Sequence, residues 1–297
     1  MNIAKELDMA IKLLETGTAE GGYILDEKEY PNYMTNEEFE KFLGSMPPAV
    51  IEEYKNGGGG ELAEKNARPP KMACYGSSGR MIYTLSRDKE NFHYEKKLPT
   101  TIGGTANLDG FCEEENRYVF VEAKCHEPYS AKKNSVSRKY KRLYTYINEQ
   151  MAGGLEIAMQ ESKCGKYMNV EYYAEGEKLA YFDLKQMICH LLGIATGILK
   201  GTLAKKQIDF IYLIYDPTEL TLADGTKEAV DSIYERTCYE CNLVDFATLF
   251  GVILAFLMEE KYGEAITYEE MENIVYTFTF SLATHEFYPV LLQSYEF

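Results

Sequence analysis

The sequence predicts an α/β fold built around a mixed central sheet. Three observations lead to this prediction. Two strand patterns adjoin within residues 105–125, a long helical pattern follows at residues 181–201, and the continuous apolar run IDFIYLIYD comes after that helix. Strands joined by a short turn pair antiparallel, whereas a crossover helix joins parallel strands. The expected core order is therefore helix, three strands, helix and strand, within about residues 71–216.

The N-terminal extension, residues 1–65, carries helical patterns. In TNEEFEKFLGSM, Thr35 is an expected N-cap and Glu38 stands at capping-box spacing. The glycine run NGGGGE and the tripeptide RPP then interrupt the chain, and we interpret the glycine run as a flexible linker.

The core elements have local start and stop signals. SSGRMIYTLSR is an expected helix capped by Ser77 or Ser78, and NFHYEKKL alternates like a strand. TANLDGFC and RYVFVEAKC are strands joined by the turn EEEN. The second helix begins after Asp183 as N-cap and ends at Gly201.

The C-terminal region, residues 226–297, is expected to be helical and to pack on the same core, which makes the whole chain one domain. Its apolar run FATLFGVILAFLM has 13 residues, too few to cross a bilayer, so we expect a buried helix and no membrane association. No leader pattern precedes residue 1, which favours a cytoplasmic location. Seven cysteines at irregular spacing suggest reduced thiols. Cys238 and Cys241 form a single CxxC, which lacks the second pair of a zinc site.

The net charge of −16 argues against binding nucleic acid through a generally basic surface. One local excess of positive charge exists, SAKKNSVSRKYKR, which either contacts a nucleic-acid backbone or forms a solvated helix face. Its basic residues are Lys132, Lys133, Arg138, Lys139, Lys141 and Arg142.

Three charged residues interrupt the apolar strands. Glu122 and Lys124 are two apart and so share a strand face, and a hairpin can bring Asp109 beside them. Two converging carboxylates can hold Mg²⁺ while leaving positions for water and a phosphate oxygen. The lysine can orient the attacking water and stabilise charge on the phosphate. The plain alternative is that Glu122 and Lys124 form an exposed pair on the strand face.

The spacing D-x12-E-A-K on consecutive strands resembles the PD-(D/E)XK nuclease superfamily, which has a restriction-endonuclease-like fold. The string EKKLPTTIGGTANLDGF…VFVEAKCHEPY is similar to an uncharacterised bacterial branch. This resemblance, over about residues 71–216, implies a DNA nuclease using Mg²⁺ or Mn²⁺, with Gln186 facing the metal from the second helix, ahead of His190. It also makes Glu95 an additional metal ligand. Leu108 stands where the family's nominal residue is proline.

Two other functions remain open. The first is a non-catalytic nucleic-acid- or protein-binding module on the same fold. The second is a cysteine- or metal-dependent hydrolase that uses Cys125 and His126.

Overall fold

The computed structural model describes residues 3–57, 60–125, 134–216, 219–221, 226–229, 233–260 and 266–285. Within these ranges the protein is mixed α/β, with nine α-helices and a five-stranded mixed central sheet. The α/β class with a mixed sheet is thus confirmed. The helices are α1 (Ile3–Thr16), α2 (Asn36–Ser45), α3 (Pro48–Asn56), α4 (Ser78–Ser86), α5 (Lys141–Gln150), α6 (Leu184–Leu199), α7 (Ile233–Asn242), α8 (Phe246–Glu259) and α9 (Tyr268–Tyr276).

The central sheet consists of β3 (Phe92–Pro99), β4 (Thr105–Glu113), β5 (Arg117–Lys124), β10 (Gln207–Tyr215) and β13 (Thr279–His285). Their order across the sheet is β13–β10–β5–β4–β3. Strands β3, β4 and β5 form an antiparallel meander, and β5, β10 and β13 run parallel. Helix α6 leads into β10, so the expected pairing of two parallel strands through a crossover helix is present.

Two apolar layers cover the sheet. Phe120 and Phe210 belong to the layer shared with α6 and α8, whereas Val121 and Leu213 belong to the layer shared with α1–α4. Helix α6 approaches the meander closely at Gly193, where a Cβ would lie 2.8 Å from the side chain of Ala106. The helix that carries Gln186 and His190 is therefore held directly against the sheet.

A second, antiparallel sheet lies between β5 and α6 in the sequence, together with α5. The expected core had only a polar stretch there, so this sheet was not predicted. Its strands are β6 (Ser135–Ser137), β7 (Leu155–Glu161), β8 (Tyr167–Ala174) and β9 (Glu177–Lys178). Their order across the sheet is β6–β8–β7, with β9 paired to β8. Two small hairpins complete the described strands: β1 (Tyr23–Leu25) with β2 (Lys28–Tyr30), and β11 (Glu219–Thr221) with β12 (Lys227–Ala229).

The predicted helix caps are confirmed. Thr35 and Glu38 form the capping box of α2. Ser77 caps α4 by accepting the Arg80 N–H, and Asp183 caps α6. These caps depend only on neighbouring residues, which explains why the sequence could reveal them.

The prediction that the C-terminal region is wholly helical is wrong. Helix α9 ends at Tyr276, and TFSLATH forms β13, the fifth strand of the central sheet. Lys227–Ala229 is likewise strand, and the described part of α7 begins at Ile233. The alternating Thr, Phe and Leu residues of β13 suit a strand, and pairing with β10 decided between two patterns that look alike in sequence.

The apolar run at residues 246–258 forms α8, which is largely buried as expected. Within the ranges given above, no single helix is long and apolar enough to span a membrane. Among the described helices, only α7 and α8 taken together reach that length and composition, and they are bent by 56°.

Candidate active site

Strand β3 changes faces in its middle. Phe92 and Tyr94 belong to the apolar layer of α1–α4, whereas Leu98 belongs to the layer of α6. In a regular strand these three side chains would share one face. The change occurs around Glu95, which has φ +53°, a left-handed conformation that costs most residues about 1–2 kcal/mol.

Strand β4 changes faces at the same level. Cys112 lies in the layer of α1–α4, but Leu108 lies in the layer of α6. Between them is Asp109, which stands opposite Glu95 because the residues on either side of both are paired in register. The two strands thus change faces at Glu95 and Asp109. The pairing of Gly110 with Val121 sets Asp109 level with Glu122, so both carboxylates lie toward the carboxyl end of β5.

The carboxylate of Asp109 is surrounded by protein atoms, although some surface of the residue stays open. Its Oδ2 accepts a hydrogen bond from the Ala123 N–H at 2.9 Å. Burial, and next the charge of Glu122, raise the pKa of Asp109 well above its usual range. A positive charge close to Asp109 would lower its pKa again. A cation bound to the carboxylate would supply that charge.

Glu122 is only 1% exposed and is the centre of the site. Its Oε1 contacts Lys124 Nζ and accepts a hydrogen bond from Gln186 Nε2 at 2.6 Å. His190 Nε2 lies 2.9 Å from the other oxygen, Oε2. Burial by itself would raise the pKa of Glu122, but Lys124 and His190 outweigh burial and lower the pKa to about 2. Glu122 is therefore held as a carboxylate.

Helix α6 is anchored at the end that supplies Gln186 and His190. Asp183 Oδ1 accepts the Gln186 N–H at 3.0 Å and so fixes the first turn. The carboxylate of Glu240, on α7, accepts the backbone N–H groups of residues 180–182 just before the helix, at 2.7–3.1 Å. No sequence pattern points to Glu240, because it is distant in the chain and its partners are backbone groups.

Three buried atoms of the pair formed by Glu122 and His190 lack an aligned hydrogen bond: Glu122 Oε2, His190 Nδ1 and His190 Nε2. His190 Nε2 is close to Glu122 Oε2, but the direction is unsuitable for one, and His190 Nδ1 also has no partner among the described residues. Buried polar atoms normally have partners. Glu122 Oε2 thus has unused capacity to accept a positive ligand on the side of the site that faces His190.

The donor set fits a hard divalent cation. Asp109 and Glu122 supply carboxylate oxygens, and Glu95 is close enough for its charge to act on Asp109. Mg²⁺ binds through one or two carboxylates and keeps several waters. Within the part of the chain that the structure describes, no three or more His, Cys, Asp or Glu side chains are already arranged as a metal cluster.

The basic segment is largely paired with acidic residues. Arg138 and Lys141 lie 3.2 Å and 3.1 Å from Glu161 Oε1, and Arg142 pairs with Glu260. All three basic side chains are exposed. Because exposed ion pairs are weak, a polyanion could compete for these residues, but the segment is not a region of uncompensated positive charge.

The remaining residues of the basic segment divide into two groups. Lys132 and Lys133 lie outside the described residues. Lys139 reaches the turn between β3 and β4, where its Nζ would lie 3.1 Å from a Cβ added to Gly103. Tyr140, next to it, contacts Cys189 of α6 at 3.6 Å. The segment therefore lies along the side of α6 that adjoins the tip of the hairpin.

The structure gives less support to the cysteine-based alternatives. Cys125 is buried, and His126 lies outside the described residues. The seven cysteines form no disulfide.

No family model, curated protein or solved structure matches this chain. The function has to be inferred from the geometry of Asp109, Glu122, Lys124 and their neighbours.

Proposed function

We propose that this protein is a Mg²⁺- or Mn²⁺-dependent nuclease of the PD-(D/E)XK type that hydrolyses phosphodiester bonds of DNA. One observation carries the proposal. Asp109, Glu122 and Lys124, which are charged residues from two strands, meet at the carboxyl end of β5, and Gln186 reaches Glu122 from α6. If Glu122 and Lys124 formed only an exposed salt bridge on the strand face, Glu122 would not be buried where β4, β5 and α6 meet.

The order of the elements supports the same proposal. Helix α4 precedes the meander β3–β4–β5, and α6 leads into β10, which is the order expected of a restriction-endonuclease-like core. The sheet β6–β9 with α5 would then be an insertion between the third strand and the second helix. Strand β13 would be an addition at the sheet edge.

Each residue has a distinct role in the proposed reaction. Asp109 and Glu122 would hold the metal, with Glu95 as a further ligand. The bound cation would lower the pKa of a water molecule and stabilise negative charge on the phosphate. Lys124 would orient the attacking water and the scissile phosphate, and Gln186 would hold Glu122 in position. The described part of the basic segment, residues 138–142, would contact the DNA backbone.

The alternative is a non-catalytic binding module on the same fold. The contact between Lys124 and Glu122 favours it, since an ammonium already neutralises the central carboxylate. The pairing of Arg138, Lys141 and Arg142 with glutamates would then suit a protein partner better than DNA.

Calorimetric titration with Mg²⁺ and Mn²⁺ tests the proposal, combined with cleavage assays on plasmid and single-stranded DNA. The variant is Asp109→Asn, which keeps the shape of the side chain and an oxygen to accept the Ala123 N–H. Glu113→Gln, an exposed glutamate of β4 paired with Lys206, is the matched control. We expect metal binding and cleavage in the wild type and the control, and neither in Asp109→Asn.

A folded wild type that binds no metal would refute the proposal. Metal binding without cleavage of either DNA form would favour the non-catalytic alternative.

A further inference from the structure

A second lysine, Lys71, is near enough to Glu95 and Asp109 for their charges to act on it, and it precedes residues that pack in the layer of α1–α4, on the face of the sheet opposite α6. Its Nζ is 2.5 Å from Glu61 Oε1. Glu61 is buried, while the side chain of Lys71 is 66% exposed. The buried carboxylate holds the Lys71 ammonium in place while the ammonium stays open to solvent, so Lys71 can bind an anionic ligand.

The backbone fixes the position of this pair. The Lys71 N–H donates to Gly60 O at 2.9 Å, and the Met72 N–H donates to Glu61 O at 3.0 Å. Glu61 Oε2 would lie 3.1 Å from a Cβ added to Gly79, in the first turn of α4. Both members of the ion pair are thus tied to the helix that precedes the meander.

Lys71 belongs to the same charged cluster as the candidate metal ligands. Burial by itself would lower the pKa of Lys71, but Glu61, Glu95 and Asp109 outweigh burial and raise it. Helix α3 joins the two groups. Tyr54 Oη donates to the backbone oxygen of Gly79, beside Glu61, at 3.1 Å, and a Cβ added to Gly57 at the end of the helix would lie 2.7 Å from Glu95 Cβ. Lys71 therefore stays protonated at the rim of the site.

Lys71 and Lys124 differ in what they can reach. Lys124 is buried and contacts Glu122, so it can act only on a group that has entered the site. The exposed ammonium of Lys71 carries three N–H donors, and the contact with Glu61 uses one of them. The two lysines thus have separate places, one within the cluster and one at its rim.

We propose that Lys71 binds a phosphate of the substrate strand next to the scissile one, from the α4 side of the site. This inference rests on the proposed nuclease function. A lysine contacts phosphate as a point charge and positions the strand without reading its sequence. A cation held by Asp109 and Glu122 would offset the negative charge beside Lys71, and so allow a second phosphate to approach.

The test compares Lys71→Gln with Lys205→Gln. Glutamine removes the charge but can still donate a hydrogen bond to Glu61. Lys205 is the matched control, because it is also an exposed lysine paired with a glutamate: its Nζ is 2.7 Å from Glu270 Oε1. It precedes β10, at the opposite end of the sheet from the site. Cleavage kinetics with Mg²⁺ and fluorescence anisotropy with Ca²⁺ would use a labelled duplex and the matching single strand.

We expect Lys71→Gln to raise KM about fivefold to tenfold with kcat within twofold, and to reduce the slope of log Kd against log salt by about 1. Lys71→Arg should restore both values, and Lys205→Gln should match the wild type. If Lys71→Gln does not fold, as judged by circular dichroism, Lys71→Ala replaces it, and the expected and contrary results stay the same.

Two results would overturn the inference while leaving the nuclease proposal intact: equal KM and salt slope for Lys71→Gln and Lys205→Gln, or a fall in kcat at constant KM. A wild type that neither cleaves nor binds DNA would overturn both proposals.

Discussion

Replacing Glu122 by glutamine should destabilise the metal-free protein markedly. Glu122 is the buried centre of a network with Lys124, Gln186 and His190. The substitution removes its charge and leaves Lys124 buried without that counter-charge. Breaking a buried ion pair in this way costs about 3–5 kcal/mol.

The lowered pKa of Glu122 points to an energy of the same order. It lies at about 2 instead of 4.5, which at about 1.4 kcal/mol for each pH unit amounts to roughly 3 kcal/mol. Because the pKa in the folded state is lowered, this stability is present above the unfolded value near 4.5. It is lost as the pH falls toward 2.

Urea unfolding in EDTA measures the effect. At pH 7, Glu122→Gln should lower the free energy of unfolding by about 3 kcal/mol, and the difference from the wild type should shrink below pH 4.5. Glu113→Gln, in the same meander but exposed, should leave the free energy of unfolding unchanged. A loss below about 1 kcal/mol at pH 7, the level of an exposed ion pair, would refute the buried network.

Three further predictions concern the same site. Asp109→Asn should stabilise the metal-free protein, since burial and Glu122 raise the pKa of Asp109. A raised pKa in the folded state means that the stability of the wild type falls as the pH rises. Calorimetric melting should therefore show a larger gain for the variant at pH 8 than at pH 5. Glu95→Gly should relieve the left-handed backbone and stabilise the protein by up to about 1 kcal/mol; urea unfolding that shows a loss would contradict this. Gln186→Leu should weaken Mg²⁺ binding about 10- to 100-fold, with titration calorimetry as the measurement and an unchanged affinity as the contrary result.

The sequence predicted strands β3, β4, β5 and β10, the three caps and the meeting of Asp109, Glu122 and Lys124. These features depend on local patterns: the alternation of apolar residues, the spacing of caps, and the short turn between β4 and β5. That Gln186 contacts Glu122 was expected only through the resemblance to a known superfamily, since a glutamine in a helix has no pattern of its own.

The sequence did not reveal the turnover of β3 and β4. A strand pattern reports which positions are apolar, and Glu95 and Asp109 read as polar positions in ordinary strands. The change of face at Glu95 is visible only when Tyr94 and Leu98 are seen in different apolar layers.

The sequence by itself determined the α/β class, the local start and stop of the central elements, and the residue types that could bind a metal. Tertiary structure alone decided that residues 279–285 form a fifth strand, that His190 and Lys71 join the charged cluster, and that Glu240 anchors α6. The physical reason is that these features join segments far apart in the chain. Which distant segments meet is set by the packing of two apolar layers on one sheet, and no local pattern of residues encodes that packing.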